Sequence, residues 1–266
     1  MNNKVVVVTG GGGVLGGSIA LGFALEGAKL VLIGRNMASL EAQKETILNH
    51  VETEILCSSC DVLSRDDLET AKTDILKKFR TIDILINAAG GNRKGATISP
   101  EETFFDLSLE DFGKVTDLNL LGTVLPSYVF GEVMAQKKNG VVLNISSMAA
   151  DRVITRVLGY SASKAAVDNF TKSLAVEMAL KFGEGIRVNA IAPGFFIGEQ
   201  NRELLTNTDG SYTERGKTII QNTPMKRFGE KEEVQGASLF LCSEAAKFIT
   251  GVVLPIDGGF SAFSGV

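Results

Sequence analysis

One histidine, His50, and three cysteines leave this 266-residue chain little material for a metal site. Cys57-Ser58-Ser59-Cys60 forms a CxxC, but no second ligand pair accompanies it and it closes an apolar run, Ile55-Leu56-Cys57. Buried, unreactive thiols are expected there, and no metal is assigned. His50 follows a helical stretch without an acidic or nucleophilic partner nearby in sequence and is expected at the surface. Excess basic charge is lacking too: 27 Lys and Arg against 31 Asp and Glu give a net charge of -4, which excludes the footprint of a nucleic-acid or anionic-membrane binder. Low-complexity tracts, linkers and solenoid-period repeats are absent, and no apolar run is expected to reach the length of a membrane span. Met1-Asn2-Asn3-Lys4 passes directly into Val5 to Val8 without a signal peptide's longer apolar region, so the expected address is cytoplasmic.

What the chain does contain is alternation. Short Val, Ile and Leu runs at Lys4–Val8, Lys29–Ile33, Glu54–Cys57, Ile82–Ile86, Gly140–Ile145, Ile186–Ala190 and Val252–Pro255 read as strands. Helical patterns at Leu15–Glu26, Met37–Asn49, Arg65–Phe79, Ser108–Lys137, Gly159–Phe182 and Lys231–Leu241 separate them. Continuous apolar strands with helices between them predict a parallel sheet buried on both faces, wound by right-handed crossovers. The expected fold is one doubly wound α/β domain of Rossmann type over residues 1–266, with seven parallel strands flanked by helices. Two segments break the rhythm, Gly90–Asp106 and Gly194–Thr223, and long excursions in a compact domain are expected to be substrate loops.

The first strand runs into Thr9-Gly10-Gly11-Gly12-Gly13-Val14-Leu15-Gly16. Strand, glycine turn and helix start follow in the order that lets backbone N–H groups meet a pyrophosphate, and Gly11-x-Gly13-x-x-Gly16 satisfies the dinucleotide fingerprint. The second strand ends Gly34-Arg35-Asn36: the acid that would bind the 2′-hydroxyl of NAD is missing and a cation follows. That favours NADP(H) over NAD(H), unless Arg35 is simply solvated.

Tyr160-Ser161-Ala162-Ser163-Lys164 places a phenol and an ammonium four residues apart at the start of a helix, where i and i+4 are neighbours. A free tyrosine titrates near 10, and an adjacent cation favours its phenolate, so the pair suits a general acid and base.

In this order the chain resembles the short-chain dehydrogenase/reductase family, along essentially its whole length. The resemblance rests on the glycine turn, Cys60-Asp61-Val62, Asn87-Ala88-Ala89-Gly90, Asn119 to Gly122, Ile145-Ser146-Ser147, Tyr160-x-x-x-Lys164, and Arg187-Val188-Asn189-Ala190 leading to Pro193-Gly194. It implies a catalytic set in which Ser147, thirteen positions before Tyr160, holds the substrate oxygen and Tyr160 exchanges the proton. Lys164 then lowers the tyrosine pKa and binds the nicotinamide ribose, and Asn119 supports a proton-relay water. It further implies cofactor contacts from Gly10, Gly13, Leu15, Gly16, Arg35 and Asn36, from Asp61 and Val62 at the adenine, from Asn87, Ala88 and Gly90 in the cleft, and from Pro193 and Gly194 beside the nicotinamide. Asn87 has a second reading, as a brace of the central strands, and Ser146 competes with Ser147 for the active hydroxyl. Val14 stands where the usual turn TGxxxGxG has its middle glycine, and Gly198 where many members carry threonine. A homo-oligomer, tetramer or dimer, is implied as well, consistent with the apolar helices around Leu118–Val133 and Val167–Leu180.

The loops narrow the substrate. Ala89-Gly90-Gly91-Asn92, Phe195 to Arg202, Thr213-Glu214-Arg215-Gly216 and the ending Asp257 to Gly265 resemble the subgroup of D-mannonate oxidoreductases, or fructuronate reductases. The implied reaction is reduction of a sugar-acid ketone; the alternatives are another polyol, a ketone or a 3-oxoacyl thioester, and, in a different class, a dinucleotide-binding protein without catalysis. A carboxylate is matched by guanidinium groups, and Arg93, Lys94, Arg152, Arg156 and Arg202 all lie in or near the loops, where each either binds substrate or faces solvent. Arg93, Arg152 and Arg202 are the candidates retained, with Asn92, Gln200 and Asn201 as hydroxyl partners.

Overall fold

Alternating strands and helices build one domain in the computed structural model, which describes residues 1–198 and 202–265. The strands are β1 (Val5–Thr9), β2 (Lys29–Gly34), β3 (Ile55–Ser59), β4 (Ile84–Asn87), β5 (Gly140–Ile145), β6 (Ile186–Pro193) and β7 (Val253–Ile256). The helices are α1 (Val14–Leu25), α2 (Met37–Leu48), α3 (Arg65–Phe79), α4 (Leu109–Thr116), α5 (Gly122–Lys137), α6 (Leu158–Phe182), α7 (Arg202–Leu205), α8 (Glu214–Asn222) and α9 (Glu233–Cys242). All strand pairings are parallel, in the order β3-β2-β1-β4-β5-β6-β7. The winding reverses between β1 and β4, and doubly wound sheets bind ligands beyond the carboxyl ends of their strands at such a point.

The valine run of β1 shows why both faces must be covered. Val6 and Val8 join Leu30, Leu32 and Ile86 in a layer closed by Ile19 and Phe23 of α1, Leu40 of α2 and Leu241 of α9. Val5 and Val7 point the other way, with Val31 and Leu85, onto Leu68 and Ile75 of α3, Phe130 and Met134 of α5 and Met178 of α6. Each such side chain contributes about 1.5–3 kcal/mol when fully removed from water. Helix starts are set by side-chain caps: Asn36, Ser64 and Ser108 accept the N–H groups of Ser39, Asp67 and Asp111. Arg187 of β6 is buried and donates to the carbonyls of Leu241, Ser243 and Ile249, tying the end of α9 to the sheet.

Two elements differ from expectation. The helix expected over Ser108–Lys137 is α4 and α5 joined by a π-helical turn, Asp117–Leu121. The combined run Leu109–Lys137 is long and apolar enough in composition to cross a membrane, contrary to the expectation that no run would be, and half of its most apolar stretch is buried within the domain. The segment Gly194–Thr223, expected to be irregular, carries α7 and α8, held by a small cluster of Leu205, Ile219 and Phe228. The earlier excursion, Gly90–Asp106, contains only two 3₁₀ turns, Lys94–Ala96 and Phe104–Asp106.

Candidate active site

The carboxyl ends of β1 and β4 open on a cleft of about 310 Å³, lined by Gly10, Gly13, Leu15, Gly16, Ala88, Gly90, Ser147, Tyr160, Lys164, Pro193 and Gly194 among others. Gly10 has φ +66°, and a Cβ there would lie 2.8 Å from the Ala88 carbonyl oxygen, while a Cβ on Gly16 would collide with the Gly10 carbonyl. This backbone-on-backbone packing leaves the N-terminus of α1 bare, because Gly13 caps it without a side chain. Unpaired helix N–H groups at the floor of a cleft fit a pyrophosphate.

Other residues expected at the cofactor lie around this cleft without lining it. Arg35 and Asn36 follow β2 and are exposed; Asn36 caps α2, and the Arg35 carbonyl accepts the Ser59 hydroxyl. Asp61 and Val62 follow β3, with Asp61 Oδ1 accepting the Leu63 N–H and Val62 buried. Asn87 Nδ2 donates to Ser127 Oγ and Asn144 Oδ1, each at 2.9 Å, so its side chain braces β4 against β5 and α5.

Ser147 is the second residue after β5, and its Oγ accepts the Ala149 N–H at 3.2 Å as a 3₁₀ turn begins. Ser146 is committed elsewhere: its hydroxyl donates to Asp168 on α6. Tyr160 and Lys164 occupy successive turns of α6, with Lys164 Nζ 5.7 Å from the centroid of the phenol ring and donating to the Ile145 carbonyl at 2.7 Å. Burial pushes the Lys164 ammonium down to about 8, against the opposing pull of Asp168. Burial also raises the Tyr160 phenol, and only the Ser147 hydroxyl works in the other direction. The depression of the phenol by Lys164 expected from the i, i+4 spacing is therefore not what the site shows: both groups lose water together, and desolvation disfavours each charged form. Asp168, four residues after Lys164, is a site residue that the motif reading missed; its spacing was the available signal.

Asn119 is fully buried in the π-helical turn. Its Nδ2 donates to the carbonyls of Gly91 at 2.7 Å and Val115 at 2.8 Å, and its Oδ1 accepts the Gly91 N–H at 3.2 Å. The turn thus pins the loop after β4 beside Lys164, and π turns inside helices frequently mark functional sites.

A second cavity, of about 550 Å³, shares Gly91, Ser147, Tyr160 and Gly194 with the cleft. Asn92 and Arg93 line it, together with Lys94, Leu204 and Arg215. Asn92 Nδ2 donates to Thr97, while its Oδ1 is buried without a hydrogen-bond partner; Arg93 stands 4.0 Å from Asp111. Arg152 lines a separate apolar hollow with Leu107 and Leu158 and pairs with Asp151 at 3.6 Å. Arg202 is exposed at the start of α7 and lines neither the cleft nor the second cavity. The structure thus brings Asn92 and Arg93 to the catalytic set and leaves Arg152 and Arg202 apart from it, because the 3₁₀ turn after Ser147 carries Arg152 outward. Gln200 and Asn201 lie outside the described residues. Arg215 was not among the candidate clamp residues. The thiols of Cys57, Cys60 and Cys242 are pushed up to about 11, 12 and 12, first of all by burial, which suppresses their thiolates.

A glycine cradle at the switch point of a parallel sheet, with a phenol and an ammonium at its mouth, defines a dehydrogenase or reductase that uses a nicotinamide dinucleotide. The chain belongs to the short-chain dehydrogenase/reductase family, and a family profile described as enoyl-(acyl carrier protein) reductase matches residues 13–261. It is 42% identical to an oxidoreductase of Bacillus subtilis, UxuB, whose activity is uncharacterised, over 99% of this chain and 96% of that protein. A Haemophilus influenzae protein named provisionally as a D-mannonate oxidoreductase, crystallised with bound NAD, superposes with a TM-score of 0.93 at 42% identity, covering 100% of this chain and 98% of that one. Levodione reductase of Leifsonia aquatica is 35% identical over 98% of this chain and 95% of its own length.

Proposed function

We propose that the enzyme reduces the ketone of a hexuronate to the secondary alcohol, of the D-fructuronate to D-mannonate type, with NADPH preferred to NADH. The observation that carries this reading is the seam: Ser147 and Tyr160 line both the nucleotide cleft and the second cavity, so a carbonyl held there lies between a nicotinamide and a phenol. When bound, the nicotinamide supplies the hydride that adds to the carbonyl carbon. Ser147 donates to the carbonyl oxygen and stabilises the charge that develops on it. Tyr160, held protonated by burial, gives that oxygen its proton. Lys164, beside the phenol, offsets the phenolate left behind, and Asn119 fixes Gly91 so that the cleft and the second cavity keep a common wall.

The wall chemistry favours a polar, anionic substrate. Arg93, Lys94 and Arg215 outnumber Glu203 along the cavity, and Asn92 adds a polar side chain to its wall. The relative's provisional name, D-mannonate oxidoreductase, agrees. A second reading, reduction of an uncharged ketone or a 3-oxoacyl thioester, draws on the apolar side chains of Met148, Ile154 and Leu205 in the same cavity and on the likeness to levodione reductase. Catalytic efficiencies with D-fructuronate, neutral ketones and a 3-oxoacyl thioester decide between them: the hexuronate should lead by at least tenfold, and a lead for any other class overturns the proposal.

For the nucleotide, Arg35 is exposed at the end of β2 with no acid on that strand's end to bind a 2′-hydroxyl. The NAD bound to the Haemophilus protein shows that a related cleft takes the unphosphorylated form. Arg35→Ala should lower the NADPH to NADH efficiency ratio roughly tenfold or more, the loss of one charge-assisted phosphate contact. Three free cysteines suit a cytoplasmic address. Exposed Leu109, Tyr128, Val176 and Leu180 on α4 to α6 suit a homo-oligomer, dimer or tetramer, which sedimentation would register as a multiple of 28.3 kDa.

A further inference from the structure

α8 is fastened to α7 before it reaches the cavity. The Thr213 N–H donates to the Leu205 carbonyl at 3.0 Å, its hydroxyl to the Leu204 carbonyl at 2.7 Å, and the same hydroxyl caps the helix by accepting the Gly216 N–H. The face of α8 turned inward is marked by Ile219, buried against Leu205 and Phe228. Arg215 lies one turn before Ile219 on that face and enters the wall of the cavity lined by Ser147 and Tyr160. Its Nη2 reaches the Thr155 carbonyl at 3.4 Å, in the segment that joins Ser147 to Tyr160. Arg156 is in the same segment, with φ +78°, a backbone conformation that a residue bearing a Cβ adopts at a cost. Burial first, and then the like charge of Arg156, hold Arg215 below the ordinary arginine range. Neither forms an ion pair with an acidic side chain of the described residues, and Glu203, the acid on the same wall, is no exception.

A half-buried cation kept beside a like charge, unpaired, at the edge of a catalytic cavity is a site that an anion completes. We infer that Arg215 is the residue that selects an acidic substrate, pairing its guanidinium with the substrate carboxylate while the ketone sits at Ser147 and Tyr160. This rests on the hexuronate reading above and deepens it. Arg93, one of the cations expected at the clamp, has Asp111 at 4.0 Å to answer its charge, whereas among the described residues Arg215 has a carbonyl and a neighbour of its own sign. The planar guanidinium matches a carboxylate with two parallel hydrogen bonds, which a lysine cannot reproduce.

The test has two arms on the full-length enzyme. In the first, D-fructuronate is compared with D-fructose, in which a hydroxymethyl group replaces the carboxylate. Arg215→Ala should raise the KM for D-fructuronate roughly ten- to hundredfold and lower the acid-over-neutral efficiency ratio by a similar factor, and Arg215→Lys should recover part of it. In the second, D-mannonate and D-mannitol are titrated calorimetrically into the nucleotide-bound enzyme. Wild type should bind the acid more tightly, and Arg215→Ala or Arg215→Gln should erase that margin. An unchanged acid-over-neutral ratio in a variant that still prefers hexuronates overturns the role of Arg215 and leaves the proposed function standing. Arg215-dependent binding of D-mannonate by an enzyme that reduces no hexuronate does the reverse, keeping the anion site and removing the assigned reaction. Equal losses with acid and neutral ligands reduce Arg215 to a structural part of α8 and overturn the inference.

Discussion

Replacing Lys164 by methionine should change how stability responds to pH, and the size of the change follows from burial. The ordinary value of 10.5 holds for the unfolded chain, and the folded site holds Lys164 at about 8. The folded pKa is the lower one, so between the two values the unfolded chain carries a proton that the folded protein has released, and stability contributed by this group rises with pH. Below about pH 8 both states are protonated and the penalty of burying the charge is constant. Integrating the linkage from about pH 7 to about pH 9.5 gives a gain of ~2 kcal/mol. The gain is masked in the wild type alone. Cys57, Cys60 and Cys242, all held above their unfolded 9.0 in the folded protein, work the other way over the same range, because there the unfolded state releases the proton first. Urea unfolding of the nucleotide-free wild type and of Lys164→Met should therefore be compared as a difference, in which the thiols cancel. That difference should climb by ~2 kcal/mol across the window. A difference flat to within about 0.5 kcal/mol means that Lys164 is not desolvated as its burial and its bond to the Ile145 carbonyl require.

Three further outcomes follow from the same site. Tyr160→Phe should lower turnover by roughly 10²–10⁴ while nucleotide affinity, read from reduced-nicotinamide fluorescence, changes little; wild-type turnover would remove the phenol from the proton transfer. Asn119→Ala deletes three buried hydrogen bonds to the backbone and should destabilise by roughly 2–4 kcal/mol, with faster hydrogen exchange at Gly91; a loss under about 1 kcal/mol contradicts the pinning role. Gly10→Ala forces a Cβ into φ +66° and against the Ala88 carbonyl, so nucleotide binding and melting temperature should fall together, and unaltered affinity would move the nucleotide out of this cleft.

The parts of the fold legible in sequence are those enforced locally. Val5 to Val8 had to be a strand buried on both faces, and the helices expected to begin at Met37 and Arg65 begin there. The break at Asp117–Leu121 was not legible, because every residue in it tolerates a helix and the π turn answers to Gly91, 28 positions away. The same limit applies to the substrate wall. Arg93, Arg152, Arg156 and Arg202 had equal claims as loop cations, and only the packing of Ile219 and the Thr213 cap turns Arg215 inward instead. The expected influence of Lys164 on Tyr160 was a statement about spacing, whereas burial, which spacing does not report, governs both groups.

Val14 and Gly198, the two departures from the family's usual cofactor turn, meet across the mouth of the nucleotide cleft. A Cβ built on Gly198 would lie 3.6 Å from Val14 Cγ2, in ordinary contact, and the γ atoms of a threonine reach one bond further. Gly198→Thr should therefore press on Val14 and lower nucleotide affinity, and Val14→Gly should rescue it in a double-mutant cycle. Two positions far apart along the chain thus share one surface at the mouth of the cleft, and a substitution at either is read together with the residue at the other.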